Sequence, residues 1–185
     1  MLIIISAPSG TGKSTVCRAL LQRIQHLKES VSYTTRPARK GEKDGVNYHF
    51  VSRETFQKMK EKDEFAEWAE VHGEWYGTSK SILKKILSLG DDVLLEIDVQ
   101  GAINLKRLYP DSVTIFLAPP SMEVLALRLR SRGSETEEAI QRRLVRAADE
   151  MKFMNRYDFT VINEDLPDAV VELEEIILRK RRVRA

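Results

Sequence analysis

Runs of apolar residues recur along the chain, separated by segments in which apolar and polar residues alternate at helical spacing. The runs are short and rich in Ile, Val, Leu and Phe, as expected for strands that are buried on both faces of a parallel sheet. They cover residues 2–5, 92–98, 112–118 and 159–162. A β-branched, alternating segment at residues 31–35 is predicted as the second strand of the chain.

The segments between these strands have the apolar spacing of amphipathic helices. The first follows residue 15 and is predicted to end near residues 26–28, and a later one starts at Ser79 or Ser81 and ends at Gly90. The others are predicted at residues 53–62, 101–108, 121–132, 135–154 and 166–178. This alternation of strands and helices implies a parallel sheet with right-handed crossovers and helices on both faces.

Residues 34–80 interrupt that alternation. A polar, basic loop at residues 36–45 leads to a short predicted strand at 46–51 and then to the helix at 53–62. Residues 64–71 alternate between apolar and polar, and a turn at 72–74 connects them to residues 75–78. This part of the chain is therefore predicted to form a small β-rich lobe with one helix.

Composition narrows the class of protein. The chain has 185 residues, of which 42% are hydrophobic and 31% charged, which fits one globular domain with a core. The net charge of +2 is too small to imply nucleic-acid binding. Because no apolar run reaches transmembrane length and no signal peptide is recognisable, we expect no membrane partner and a cytoplasmic location. A single cysteine, Cys17, suits a reducing compartment. Whether the chain is a monomer or a homo-oligomer is left open.

The turn between the first strand and the first helix has the pattern of a phosphate-binding loop, in which backbone N–H groups and a helix N-terminus receive polyphosphate. Lys13 can reach the β- and γ-phosphates of ATP, and the Ser14 hydroxyl can bind Mg²⁺. The pattern normally has Gly where this chain has Ala7. The predicted ATP-binding residues are Ala7, Pro8, Ser9, Gly10, Thr11, Gly12, Lys13, Ser14 and Thr15.

Further motifs, in their order and spacing, make the chain similar to the guanylate kinase family over essentially its whole length. They lie at residues 6–15, 30–37, 41–42 with Tyr48, 64–69, 76–78, 96–101, 118–121 and 132–136. The resemblance implies an α/β P-loop NTPase fold with three layers, a parallel sheet core flanked by helices, an inserted β-rich GMP-binding lobe and a helical lid. It divides the single domain, 1–185, into a core (1–33, 81–120 and 145–185), a GMP-binding lobe (34–80) and a lid (121–144).

The reaction implied is ATP + GMP = ADP + GDP, in purine nucleotide metabolism and GMP recycling, with Mg²⁺ accompanying ATP. We expect dGMP to be accepted as well. The resemblance implies GMP-binding roles for Ser32, Arg36, Arg39, Tyr48, Glu67, Tyr76, Thr78 and Asp98. Catalytic roles are implied for Lys13, Arg36, Arg128, Arg132 and Arg143, the last three on the lid.

The chemistry of these residues agrees with those roles. The guanidinium groups of Arg36 and Arg39 suit a dianionic phosphate. The carboxylate of Glu67 can accept together the N1–H and N2 amine hydrogens of guanine, whereas adenine has an acceptor at N1. The carboxylate of Asp98 can hold a water bound to Mg²⁺ or contact the GMP side, and both alternatives stay open.

Two other interpretations compete with this one. The phosphate loop alone does not choose a base, so another nucleoside monophosphate kinase is possible, although Glu67 with Thr78 favours guanine. Guanylate-kinase-like scaffold modules bind phosphopeptides, but they typically lose the phosphate-loop and acceptor residues. This chain retains Lys13, Ser14 and the two loop arginines, which favours the enzyme.

Overall fold

A computed structural model describes residues 1–71, 73–131 and 136–184. His72, in the predicted turn, and residues 132–135, which include Arg132, lie outside the described residues. The elements follow one another as β1 (Leu2–Ser6), α1 (Lys13–Arg23), β2 (Leu27–Glu29), β3 (Tyr33–Thr34), β4 (His49–Phe50), α2 (Arg53–Glu61), β5 (Phe65–Val71), β6 (Glu74–Ser79), α3 (Lys80–Ser88), β7 (Asp92–Glu96), α4 (Val99–Leu108), β8 (Val113–Ala118), α5 (Met122–Ser131), α6 (Glu137–Met151), β9 (Phe159–Ile162) and α7 (Leu166–Arg184).

The core is a parallel sheet with strand order β2-β7-β1-β8-β9. Its central strand, β1, is buried along its whole length because successive side chains enter opposite apolar layers. Ile3 and Ile5 pack with α1 and α7, while Leu2 and Ile4 pack with α3 and α4. The predicted three-layer arrangement of a parallel sheet between helices is confirmed. The phosphate loop directly follows the carboxyl end of β1.

A second sheet, with strand order β4-β3-β6-β5, forms in the region predicted to be β-rich. Stacked aromatic rings make its core: Phe56 of α2 is fully buried, and its ring centroid lies 4.4 Å from that of Phe65. Gly77 leaves room for these rings, since a Cβ there would lie 2.8 Å from Cδ1 of Phe65. The sheet therefore has its own apolar packing, while β5 also contacts α4 of the core.

The path of the chain after α1 differs from the prediction. The helix ends at Arg23, and the left-handed conformation of His26 (φ 61°) turns the chain into β2, the edge strand beside β7. The strand predicted at 31–35 is wrong as a core strand, because only Tyr33–Thr34 is extended and it belongs to the second sheet. Buried Leu27, not the β-branched segment, supplies the apolar contact of this edge.

Most other elements agree with the prediction to within a few residues, but the closing helix predicted at 166–178 continues to Arg184 and includes the basic residues after 178. The strand predicted at 46–51 is reduced to His49–Phe50, and the helix predicted at 135–154 covers Glu137–Met151. The helix predicted from residue 101 begins at Val99, because the Asp98 carboxylate caps it by accepting from the Gly101 N–H. Among the described helices, none is both long and apolar enough to cross a membrane.

Candidate functional site

The phosphate loop has the backbone conformation that an anion site requires. Gly10 (φ 97°) and Gly12 (φ 99°) are both left-handed, and a Cβ on Gly12 would lie 2.8 Å from Nδ2 of Asn163. Among the described residues no side chain caps the N-terminus of α1, which leaves its N–H groups for an anion. Ala7 is not among the residues with positive φ, and its side chain packs in the core cluster with Ile5. Alanine at this position therefore needs no unusual backbone conformation.

Glu96, the last residue of β7, faces the loop and was not among the predicted site residues. The Ser14 hydroxyl donates to its Oε1 at 2.5 Å, and the Nζ of Lys13 lies 4.0 Å from the same oxygen. Lys13 also donates to the Ile97 carbonyl at 3.0 Å. The sequence signal was present, since a strand ending in Glu96-Ile97-Asp98 offers two acids. The prediction chose Asp98, whereas the strand ends at Glu96.

The loop is held by Asn163, which follows the edge strand β9, and by Arg128 of α5. Nδ2 of the buried Asn163 donates to the Thr11 carbonyl at 2.6 Å. Nη2 of Arg128 donates to the carbonyls of Asn163 and Glu164 at 2.9 and 3.0 Å. Arg128, predicted as catalytic, thus contacts backbone carbonyls beside the loop. Nothing in the local sequence around Asn163 indicates this role, because its partner is 152 positions away.

One cavity of about 380 Å³ joins the phosphate loop to the second sheet. Most of the predicted site residues line it: Ala7, Pro8, Ser9, Gly10, Gly12, Lys13, Ser14, Thr15, Ser32, Arg39, Tyr48, Glu67, Tyr76, Asp98 and Arg143. Residues that were not predicted also line it: Ala69, Val71, Glu96, Ile97, Arg146 and Glu150. Among the described residues predicted for the site, Thr11, Arg36, Thr78 and Arg128 lie outside this lining.

Arg36 supports the cavity wall from behind. Its guanidinium donates two hydrogen bonds of 2.9 Å to the carboxylate of Glu42 and lies 5.4 Å from the centroid of the Tyr48 ring. The Tyr48 ring in turn meets Tyr76 edge-on, with the centroids 5.8 Å apart. Burial, with a smaller contribution from the charge of Glu96, raises the pKa of Tyr48 to about 12, so its phenol remains a hydrogen-bond donor. Together with Arg39, these groups form a donor-rich wall.

Glu67 brings a carboxylate into the same cavity. Its side chain is buried, and its Oε1 accepts from the Thr78 hydroxyl at 2.7 Å. Burial is the main cause that raises its pKa from the ordinary 4.5 to about 7, the charge of Asp98 adds to the rise, and the Thr78 hydroxyl opposes it. The Thr78 hydroxyl is therefore engaged with Glu67. Across the part of the chain that the structure describes, no group of three or more His, Cys, Asp or Glu side chains could hold a metal ion.

Comparison of this sequence with known proteins identifies its family. The family model described as guanylate kinase matches residues 1–180. A guanylate kinase from Desulfitobacterium hafniense (strain Y51) is 46% identical over 181 residues, covering 98% of this chain and 90% of that protein. A guanylate kinase from Syntrophotalea carbinolica is 49% identical over 189 residues, covering 100% of this chain and 90% of that protein.

Solved structures agree with the sequence comparison. The crystal structure of guanylate kinase from Anaplasma phagocytophilum superposes with a TM-score of 0.80 at 36% identity, covering 97% of this chain and 85% of that chain. A shikimate kinase from Bacteroides thetaiotaomicron superposes with a TM-score of 0.52 at 15% identity, covering 96% of this chain and 98% of that chain. The second similarity concerns the fold alone.

The raised pKa of Glu67 predicts how its contribution to stability changes with pH. Between pH 4.5 and about 7 the unfolded chain releases a proton that the folded protein keeps, so the contribution falls as pH rises through this window and stays low above it. Relative to Glu67→Gln, the wild type should lose about 2–3 kcal/mol of unfolding free energy between pH 4.5 and pH 7.5. Urea denaturation of both proteins at several pH values measures this difference.

Glu70→Gln, at an exposed position of the same strand, is the matched control for the loss of one carboxyl group. If the difference between the wild type and Glu67→Gln is the same at pH 4.5 and at pH 7.5, Glu67 does not have the raised pKa.

Proposed function

We propose, from the premise that the chain belongs to the guanylate kinase family, that the cavity described above is where the γ-phosphoryl group of ATP passes to GMP. The enzyme is a phosphotransferase that converts ATP and GMP into ADP and GDP, and its family generally needs a divalent metal. The observation that carries the proposal is that the phosphate loop and the buried carboxylate of Glu67 line one cavity. ATP at the anion site and GMP at the base-reading acceptor could thus occupy the cavity at the same time.

The ATP side of the proposal rests on the phosphate loop. The backbone from Ala7 to Thr15 binds the triphosphate, because its N–H groups and the N-terminus of α1 are oriented for an anion. Lys13, which now donates to the Ile97 carbonyl, places its ammonium group on the phosphate that is transferred. Its charge stabilises the negative charge that develops there during transfer.

We propose Mg²⁺ as the metal, held by Ser14 and by Glu96. These two oxygens lie 2.5 Å apart at the edge of the cavity, and neutral hydroxyl and carboxylate oxygens are the ligands that Mg²⁺ prefers. Because the described residues supply no larger acidic cluster, Ser14 and Glu96 would hold the ion together with the phosphates of ATP. When bound there, it would neutralise phosphate charge.

On the acceptor side, Arg39, Tyr48 and Tyr76 bind the phosphate of GMP. All three line the cavity, and the two phenols meet edge-on beside the guanidinium of Arg36. Since Glu42 holds both Nη atoms of Arg36, this arginine keeps a fixed orientation from which it supports the phosphate wall. We therefore propose that Arg36 organises Tyr48 and, from behind the cavity wall, adds positive charge beside the acceptor phosphate.

The base lies at the other end, where Glu67 accepts the N1–H and N2 amine hydrogens of guanine. Thr78 occupies one oxygen of this carboxylate with a donated hydrogen bond and so fixes its plane. Ser32 and Asp98 line the same cavity. We assign Asp98 to the GMP side, because its charge acts on Glu67 and its Oδ1 caps α4. The proposed contacts involve base and phosphate, so dGMP is also a substrate.

Transfer brings the two ends together under the lid, residues 121–144. Arg143 lines the cavity and is proposed to act on the transferred phosphoryl group, as is Arg132. Arg128 is proposed to join them when the lid closes, since it already connects α5 to the loop carbonyls. The division into a core, a lobe at 34–80 and this lid is part of the proposal, as is a cytoplasmic location, where both nucleotides are available.

The role of Lys13 predicts that Lys13→Ala removes turnover and leaves GMP affinity nearly intact, because the loop and the acceptor wall bind different substrates. Loss of this cation should reduce kcat/KM by an amount equivalent to about 3–5 kcal/mol. A coupled assay gives kcat/KM, and calorimetry gives the Kd of GMP. Lys84→Ala, on the exposed face of α3, is the control. Turnover near the wild-type value in Lys13→Ala would remove the phosphate loop from the mechanism.

The role of Glu67 predicts base selection. With AMP, the buried carboxylate would face a lone pair, and sites built around such polar pairing reject the wrong analogue by roughly 10⁴ or more. Glu67→Gln should lower kcat/KM for GMP by about 10- to 100-fold and narrow the ratio of GMP to AMP, because an amide can donate to adenine N1. The KM for ATP should stay within about twofold.

The measurement is kcat/KM for GMP and AMP in the wild type, in Glu67→Gln and in the control Glu70→Gln, whose side chain is exposed on the same strand. If the ratio of GMP to AMP is the same in all three proteins, Glu67 does not read the base.

A further inference from the structure

Gly101, in the first turn of α4, lies directly against the carboxylate of Glu67. A Cβ at this position would be 2.7 Å from Oε2 and 3.3 Å from Cδ of Glu67. The first distance is shorter than van der Waals contact, so a side chain at residue 101 and the present carboxylate position exclude one another. Gly101 itself is buried, and its N–H donates to Oδ1 of Asp98 at 2.7 Å.

The backbone does not explain the glycine. Gly101 is absent from the residues with positive φ, and its conformation is that of the helix in which it lies. Glycine inside a helix is less favourable than alanine by about 1 kcal/mol. The glycine therefore leaves space that a side chain would fill. The two atoms nearest to that space belong to Glu67, and the next, at 3.4 Å, is Oδ1 of Asp98, at an ordinary contact distance.

We propose that Gly101 is a positioning residue that sets the orientation of the Glu67 carboxylate and thereby the selection of guanine. The carboxylate is confined on two sides: Oε1 by the hydrogen bond from Thr78, and Oε2 by the surface of α4 at Gly101. The inference rests on the proposed function, because it takes Glu67 to be the group that reads the base.

A methyl group at residue 101 would move the carboxylate and leave the rest of the fold in place. Helix α4 and strand β5 are held together by one apolar cluster, which includes Ala102 and Leu105 of α4 and Ala66 of β5. The end of the Glu67 side chain is the movable part, so it rotates away from α4. A rotated carboxylate can no longer accept two parallel hydrogen bonds from guanine.

Hypoxanthine, the base of IMP, tests whether the Glu67 carboxylate can still accept two hydrogen bonds. It has the N1–H donor of guanine and lacks the N2 amine, so the ratio of GMP to IMP reports the second hydrogen bond alone. In Gly101→Ala we expect the KM for GMP to rise about tenfold or more and the ratio of kcat/KM for GMP to that for IMP to fall about tenfold, the value of one hydrogen bond. The KM for ATP should change less than about twofold.

The experiment compares the wild type, Gly101→Ala, Glu67→Ala and the double variant, with Gln100→Ala as a control for an alanine in the same turn. Gln100 is exposed, and its side chain donates to Asn104 of the same helix. The melting temperature of Gly101→Ala should equal or exceed that of the wild type. In the Glu67→Ala background, Gly101→Ala should have no further effect on the KM for GMP.

The outcomes separate the inference from the proposed function. If Glu67→Ala changes the ratio of GMP to IMP and Gly101→Ala does not, the inference is overturned and the proposed function stands. An equal loss from Gly101→Ala with and without Glu67 also overturns it. If Glu67→Ala leaves the ratio unchanged, the base-reading role itself fails. Should Gly101→Ala not fold, recovery of folding in the double variant supports the inference, and failure of both variants to fold overturns it.

Discussion

Burial of an acidic side chain governs the acceptor half of the proposed site. Glu67 is 8% exposed, and among the described residues its hydrogen bonds come from Thr78, so its charged form is unfavourable until further donors arrive. The raised pKa of Glu67 reflects this cost of burying the charged carboxylate. A ligand with two parallel donors relieves it, whereas a ligand with an acceptor increases it. If Glu67 reads the base as proposed, selectivity for the base follows from desolvation of its carboxylate as much as from attraction to the substrate.

The phosphate loop presents the opposite deficit across the same cavity. No described side chain caps the N-terminus of α1, and Asn163 holds the loop through the Thr11 carbonyl. The Lys13 ammonium donates to the Ile97 carbonyl, a neutral acceptor that a charged phosphate would replace with a stronger one. A base with donors suits the carboxylate of Glu67 and a chain of phosphates suits the loop, so the two fit different parts of one cavity. Preorganisation of this kind avoids reorganisation when charge moves in the transition state.

The parts predictable from sequence are those whose signal is local. A window of about ten residues is enough to recognise the apolar runs of β1, β7 and β8, the Gly10–Gly12 loop and the strands of the small β-rich region. The edge strand β2 was missed because three residues with one buried side chain, Leu27, resemble the end of the preceding helix. The contact of Asn163 with Thr11 and that of Gly101 with Glu67 depend on tertiary packing, and neither leaves a local pattern.

A strongly perturbed carboxyl group in a cavity usually suggests a general acid or base. The pKa of Glu67 is perturbed in this way. Phosphoryl transfer nevertheless needs little proton abstraction by the enzyme, because positioning and charge neutralisation supply most of the rate enhancement. Its position agrees with recognition: β5 belongs to the second sheet, while Lys13 and Glu96 lie at the edge of the core. On the proposed function, the site separates its tasks by sheet. The core would hold the charges that move phosphate, and the second sheet would hold the acceptor that selects the nucleotide.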